Sequence, residues 1–97
     1  MKINRKELQA ITHLFFKKLE DCSIEEVDIS EDFYWSMDSD RLYNPYKTPK
    51  KKNLTLGQLS HDWEALIELL EDGKEPSSLE LKWLAEIFRC LGHKVIF

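Results

Sequence analysis

The stretch Leu54-Thr55-Leu56-Gly57-Gln58-Leu59-Ser60-His61-Asp62-Trp63 constrains the fold of this chain more than any other. It carries a helix start written in overlapping ways. The Thr55 hydroxyl can accept an orphan backbone N–H, and Gln58, three residues on, can return the bond as a capping box. Leu54 and Leu59 are spaced as the accompanying hydrophobic staple. Leu56, Leu59, Trp63, Leu66, Ile67 and Leu70 then keep one face, while His61, Glu64 and Glu68 point away from it. The pattern predicts a helix over about 56–71, ended by Asp72-Gly73-Lys74 with Gly73 as a left-handed cap.

Two more helices follow from the same reasoning. Asn4 and Glu7 form a capping box, with Ile3 and Leu8 as its staple, before Leu8, Ile11, Phe15 and Leu19 recur on one face. Lys6, His13 and Lys17 fall opposite, and Leu14 and Phe16 widen the apolar stripe of this helix over about 4–19. Ser77 and Glu80 supply a third capping box for a helix with Leu81, Leu84, Ile87, Phe88 and Leu91 on one face, stopping at Gly92.

Residues 20–53 read as a long irregular segment. Val27 and Ile29 alternate with Glu26 and Asp28, and Phe33-Tyr34-Trp35-Ser36-Met37 has strand composition, so a short β-hairpin is expected there. Asn44-Pro45 and Pro49 exclude a helix across 44–49. The tail Lys94-Val95-Ile96-Phe97 can pair as a short strand or plug the core. The fold class is therefore mainly α: a single three-helix domain over 1–97, packed around Trp63, Leu66, Leu70, Leu84, Ile87 and Phe88, with segment 24–49 covering one side.

Composition narrows the function classes. At 97 residues and 42% apolar content the chain can build one modest core. No apolar run approaches the roughly 20 residues of a membrane span. Cys22 and Cys90 belong to no CxxC pair and no signal-peptide pattern opens the chain, so reduced, partly buried thiols in a cytoplasmic protein are expected. The net charge of −4 is distributed in blocks: +4 over residues 1–19, −9 over 20–40, +5 over 41–52, −6 over 53–80 and +2 over 81–97. The basic and acidic blocks either neutralise one another inside the fold or select partners.

Tyr34-Trp35, the stretch Thr55–Trp63 and Leu81-Lys82-Trp83-Leu84-Ala85-Glu86-Ile87-Phe88-Arg89-Cys90-Leu91-Gly92 together resemble a family of small uncharacterised bacterial proteins. In that family a Tyr-Trp segment precedes a proline-containing loop, a TIGQLSDDW-like helix start and an LAxILRxIG-like last helix. The resemblance spans about residues 33–92 and rests mainly on the middle motif. His61 stands where the pattern has Asp. The resemblance implies no activity; small proteins of this general kind include immunity and partner proteins.

No motif for catalysis emerges. His61, Asp62 and Glu64 lie close in sequence, but Asp62 sits about 100° from His61 on a helix and no HExxH pattern is present. They read as a solvated face, with Asp62 favouring the helix dipole. Cys90 and His93 lack an elbow or a third partner. The favoured function is a non-enzymatic protein-interaction module without metal or cofactor. Its acidic surface, represented by Asp38, Asp40, Glu64 and Glu68, meets a basic protein partner of immunity or regulatory type, and Trp83 is the best candidate for an exposed anchor. One alternative is a nucleic-acid accessory protein using Arg41, Tyr43, Tyr46, Lys47, Lys50, Lys51 and Lys52, although the overall acidity disfavours nucleic acid. A second is a small metal-dependent hydrolase centred on His61. A third is self-association, since the stripe of the first helix exceeds what one small core covers.

Overall fold

The computed structural model covers Met1–Phe97. Helix α1 (Arg5–Asp21) starts as its sequence demands, with the Glu7 N–H donating to the Asn4 side chain at 3.0 Å. It ends in a Schellman motif. Ser23 takes a left-handed φ of 57°, the Ser23 N–H reaches the Glu20 carbonyl and the Ile24 N–H reaches the Leu19 carbonyl, each at 2.9 Å. This turn sends the chain into an extended connection, residues 24–32, that forms no strand. Val27 and Ile29 are half-buried while their neighbours are exposed, so the alternation is real. It reports one side of a loop laid against the helices, because no second strand is there to take its hydrogen bonds.

Strand β1 (Phe33–Met37) pairs antiparallel with β2 (Leu54–Gln58), placing Tyr34 opposite Gly57 and Trp35 opposite Leu56. The connection between them holds a single helical turn, α2 (Ser39–Leu42), capped by Asp38, and a 3₁₀ turn at Lys51–Asn53. Helix α3 (Leu59–Glu68) follows β2 directly, and α4 (Ser78–Lys94) packs against α3. The chain thus has four helices and a two-stranded sheet. The architecture is mainly helical as expected, but the helix count and the position of the second strand are not.

The largest departure is at the stretch read as a helix start. Both Thr55 and Gln58 lie in β2, and Gln58, although at the N-cap position of α3, makes no side-chain cap bond. The α3 N-terminus is capped instead from 26 to 28 residues upstream, where Asp32 accepts three bonds. Its carbonyl takes the Leu59 N–H at 2.6 Å. Its carboxylate takes the Ser60 N–H at 2.9 Å and the Gln58 side-chain amide at 2.8 Å. A tertiary cap outcompetes the local box because it lets Leu54–Gln58 pair with β1, satisfying backbone groups that a frayed first turn would leave to water. Helix α3 also ends at Glu68, short of the expected Glu71, and Gly73 has its left-handed φ of 83° beyond the helix. Helix α4 runs through Gly92 to Lys94, and the exposed Ile96 and Phe97 neither pair as a strand nor fill the core.

Only Leu59, Asp62 and Ile87 are fully buried. Leu66 and Leu84 are half-buried beside them, whereas Trp63, Leu70 and Phe88 are exposed. The expected core around Trp63 is therefore opened. No residue of α1 is buried, and its Leu8, Ile11, Leu14 and Phe15 are each more than half exposed. Its contact with α4 runs through Phe16, whose ring lies 6.1 Å from that of Phe88. The radius of gyration is 15.5 Å, against about 12.5 Å for a compact chain of this length. Helix α1 stands off the α3–α4 pair rather than closing over it.

Candidate functional site

The gap left by α1 is an open groove of about 1060 Å³. Phe16 and Leu19 of α1 form one wall, and Leu59 and Trp63 of α3 with Ile87 and Leu91 of α4 form the floor. The connection contributes Ile24, Val27 and Ile29 from its apolar side. Trp63 is 50% exposed, its indole facing the groove rather than a closed core.

Carboxylates rim this apolar floor: Glu20, Glu25, Glu26, Glu31 and Asp32. Two of them are engaged. The Lys94 ammonium lies 2.6 Å from Glu31 and holds its carboxyl below the ordinary range. Donation from the Gln58 amide, and then from the Ser60 N–H, does the same for Asp32. Glu20, Glu25 and Glu26 are exposed and form no ion pair. The −9 block over 20–40 is thus not neutralised by the basic block over 41–52, since no ion pair joins them. That loop is ordered by its own turns, with Arg41 donating to the Thr48 carbonyl at 3.3 Å and the Tyr46 N–H donating to Asn44 at 3.1 Å. Tyr43, Tyr46, Lys47, Lys50, Lys51 and Lys52 all project into solvent.

A smaller recess of about 380 Å³ lies on the other side of α3, between the sheet and α4. Here the Tyr34 hydroxyl donates to Asp62 Oδ2 at 2.6 Å. Asp62, read from sequence as part of a solvated face, is the most buried residue in the chain at 2% exposure. It is buried because β1 crosses in front of the first turn of α3. The Tyr34 ring covers Gly57 on β2, and a Cβ there would run into the ring. Burial, reinforced by the neighbouring Asp62 carboxylate, pushes the Tyr34 phenol well above its ordinary value. His61 is mostly exposed, with Nδ1 3.6 Å from Asp62 Oδ1, and its ring meets Trp83 edge-on at 5.4 Å. Trp83 is half-buried in this recess.

None of Asp38, Asp40, Glu64, Glu68 and Trp83 lines the groove. Asp38 has a local duty as the α2 cap, accepting the Asp40 N–H at 3.3 Å, and Glu64 and Glu68 are exposed on α3. No three His, Cys, Asp or Glu side chains converge in a metal-binding arrangement around His61 or elsewhere. Cys22 is exposed rather than partly buried, and Cys90 makes no hydrogen bond to His93. Sequence reasoning missed Asp32 and Tyr34. A glycine inside a strand-like run, Gly57, was the available sign that something packs on that backbone.

No protein-family model, curated protein or solved structure matches the chain. The family resemblance read from the motifs therefore gains no support from these comparisons. No helix is long and apolar enough to cross a membrane.

Proposed function

We propose that this chain is a non-enzymatic protein-interaction module whose groove receives a basic amphipathic segment of a protein partner. The observation that carries the reading is an apolar floor, including a half-exposed tryptophan, bounded by the unpaired carboxylates Glu20, Glu25 and Glu26. An amphipathic helix laid in such a groove buries its apolar side, and Lys or Arg on its flanks meets the rim. Tryptophan in a desolvated pocket is a typical binding anchor, which assigns that role to Trp63 before Trp83. Asp38, Asp40, Glu64 and Glu68 add negative field around the site and raise the encounter rate of a basic partner, most strongly at low salt.

The test is titration with two designed helical peptides of identical apolar face, one flanked by Lys and one by Glu, followed by tryptophan emission. The Lys peptide should saturate with a blue shift that Trp63→Phe removes. Binding should weaken with salt and in Glu25→Lys/Glu26→Lys. Equal binding of the Glu peptide, or saturation by neither when the chain is monomeric, would overturn the reading. The exposed Tyr43 and Tyr46 among lysines favour a second reading, stacking on single-stranded nucleic acid. That reading requires oligothymidylate binding with a negative salt slope, lost in Tyr43→Ala/Tyr46→Ala.

A further inference from the structure

We infer that the segment filling the groove is α1 of a second copy of this chain, the two copies exchanging their first helices across a two-fold axis. The inference rests on the groove reading above and names its occupant. Surface area points first to a missing partner. The chain exposes 8820 Å² for a mass of 11.5 kDa, whereas a compact monomer of that mass exposes about 5,800 Å². The surplus, about 3,000 Å² per chain and so about 6,000 Å² over two copies, lies at the top of the range of obligate homodimer interfaces.

The kind of occupant is then set by chemistry. The groove calls for a helix with one apolar side and basic flanks, and α1 is such a helix. Leu8, Ile11 and Phe15 share one side, all more than half exposed, and by helical geometry Arg5 and Lys18 border that side. The block containing α1 sums to +4 and the block containing the rim to −9, so groove and helix attract one another between copies. Helix α1 also needs the contact. It spans 17 residues without a buried side chain, whereas most helix stability in proteins comes from tertiary packing of an amphipathic face. Under two-fold symmetry each copy donates one helix and one groove, so the assembly closes at two.

The experiment is a charge exchange read by light scattering during gel filtration. Arg5→Glu/Lys18→Glu reverses the helix flanks, and Glu25→Lys/Glu26→Lys reverses the rim. All four side chains are exposed, so each variant should fold. The unaltered chain should have twice the mass of 11.5 kDa. Each variant alone should have half that mass, and an equal mixture should recover it, because in the mixed pair one contact is unaltered and the other has both signs reversed. A monomeric unaltered chain, variants that still pair with themselves, larger open assemblies, or a mixture that stays monomeric would each overturn the exchange. The two designed peptides separate the levels of failure. Saturable binding of the Lys peptide by a monomeric chain would discard the second copy and keep the groove. No binding by the monomeric Arg5→Glu/Lys18→Glu variant, whose groove is unaltered and unfilled, would discard both.

Discussion

The two ends of this molecule are held in different ways. Where the sheet meets α3 and α4, polar groups pin the elements together: Asp32 caps α3 from another part of the chain, and Tyr34 reaches across to the buried Asp62. Where α1 meets the same helices there is an aromatic contact and an open groove. Directional bonds specify geometry at the first end. At the second, apolar surface is left available, and its stability has to come from association. The chain's specificity of fold and its capacity to bind thus reside in separate halves.

The largest effect should come from breaking the pinned end at Gly57. Gly57→Val places a branched side chain where the Tyr34 ring lies, and overpacking there should cost about 2–3 kcal/mol in urea unfolding. Asp62→Ala should follow closely. It leaves the Tyr34 hydroxyl without its acceptor in a partly buried site, at about 2 kcal/mol. A loss near zero in either variant would mean that the corner does not organise the fold.

The pinned end should also set the pH limits. The Tyr34 phenol is raised above its ordinary value of 10.0 by burial and then by Asp62. Its neutral form is therefore the one folding favours, and the associated stability is present below pH 10.0 and declines above it. Tyr34→Phe should be less stable at neutral pH but should lose this alkaline decline. Asp32 has the opposite sign. Its pKa is lowered, so its contribution is intact above the ordinary 3.8 and is lost as pH falls toward the folded value. Asp32→Asn should flatten that acid limb, measured by far-ultraviolet circular dichroism, and a limb unchanged from the unaltered protein would remove Asp32 as the cap that matters.

These pins explain what was legible in the sequence. The starts of α1 and α4 were, because Asn4 and Ser77 sit within three residues of Glu7 and Glu80. Asn4 accepts the Glu7 N–H. Ser77 stands at the N-cap of α4 but bonds to the Glu80 carboxylate rather than to a backbone N–H, so the expected capping box is not formed. Strand β1 was legible from its aromatic composition alone. The start of α3 was not, since Thr55-x-x-Gln58 is a valid local cap that loses to a partner in Asp32, and nothing in the local pattern reports a residue so far upstream. Asp62 was misplaced for the same reason, because the donor that engages it, the Tyr34 hydroxyl, lies on a distant strand. The acidic character of the 20–40 block was legible as a charge count, but its selection into rim carboxylates and structural ones, Glu25 against Asp32, depends on where the connection turns at Ser23.

That turn supplies a smaller prediction at the junction of the two ends. Ser23 holds a left-handed φ of 57° without the freedom of glycine. Ser23→Gly relieves that conformation but loosens the unfolded chain, so stability should rise by about 0.5–1 kcal/mol. A decrease would mean that the serine side chain, rather than the Schellman geometry, fixes the exit from α1.

The smallest effect is expected on the apolar side of α1. Ile11→Ser, made in the monomeric Arg5→Glu/Lys18→Glu background, removes a branched apolar side chain that is 51% exposed on α1. In a well-packed helical chain such a change at a core-facing position costs well over 1 kcal/mol. Here it should shift urea unfolding by no more than about 0.5 kcal/mol, the range of ordinary surface positions. In the unaltered background the same substitution should weaken pairing strongly, because there the side chain is buried by the second copy. A large loss in the monomer would show that α1 packs onto its own chain in solution, and the contrast between a pinned half and an unpartnered half would fail.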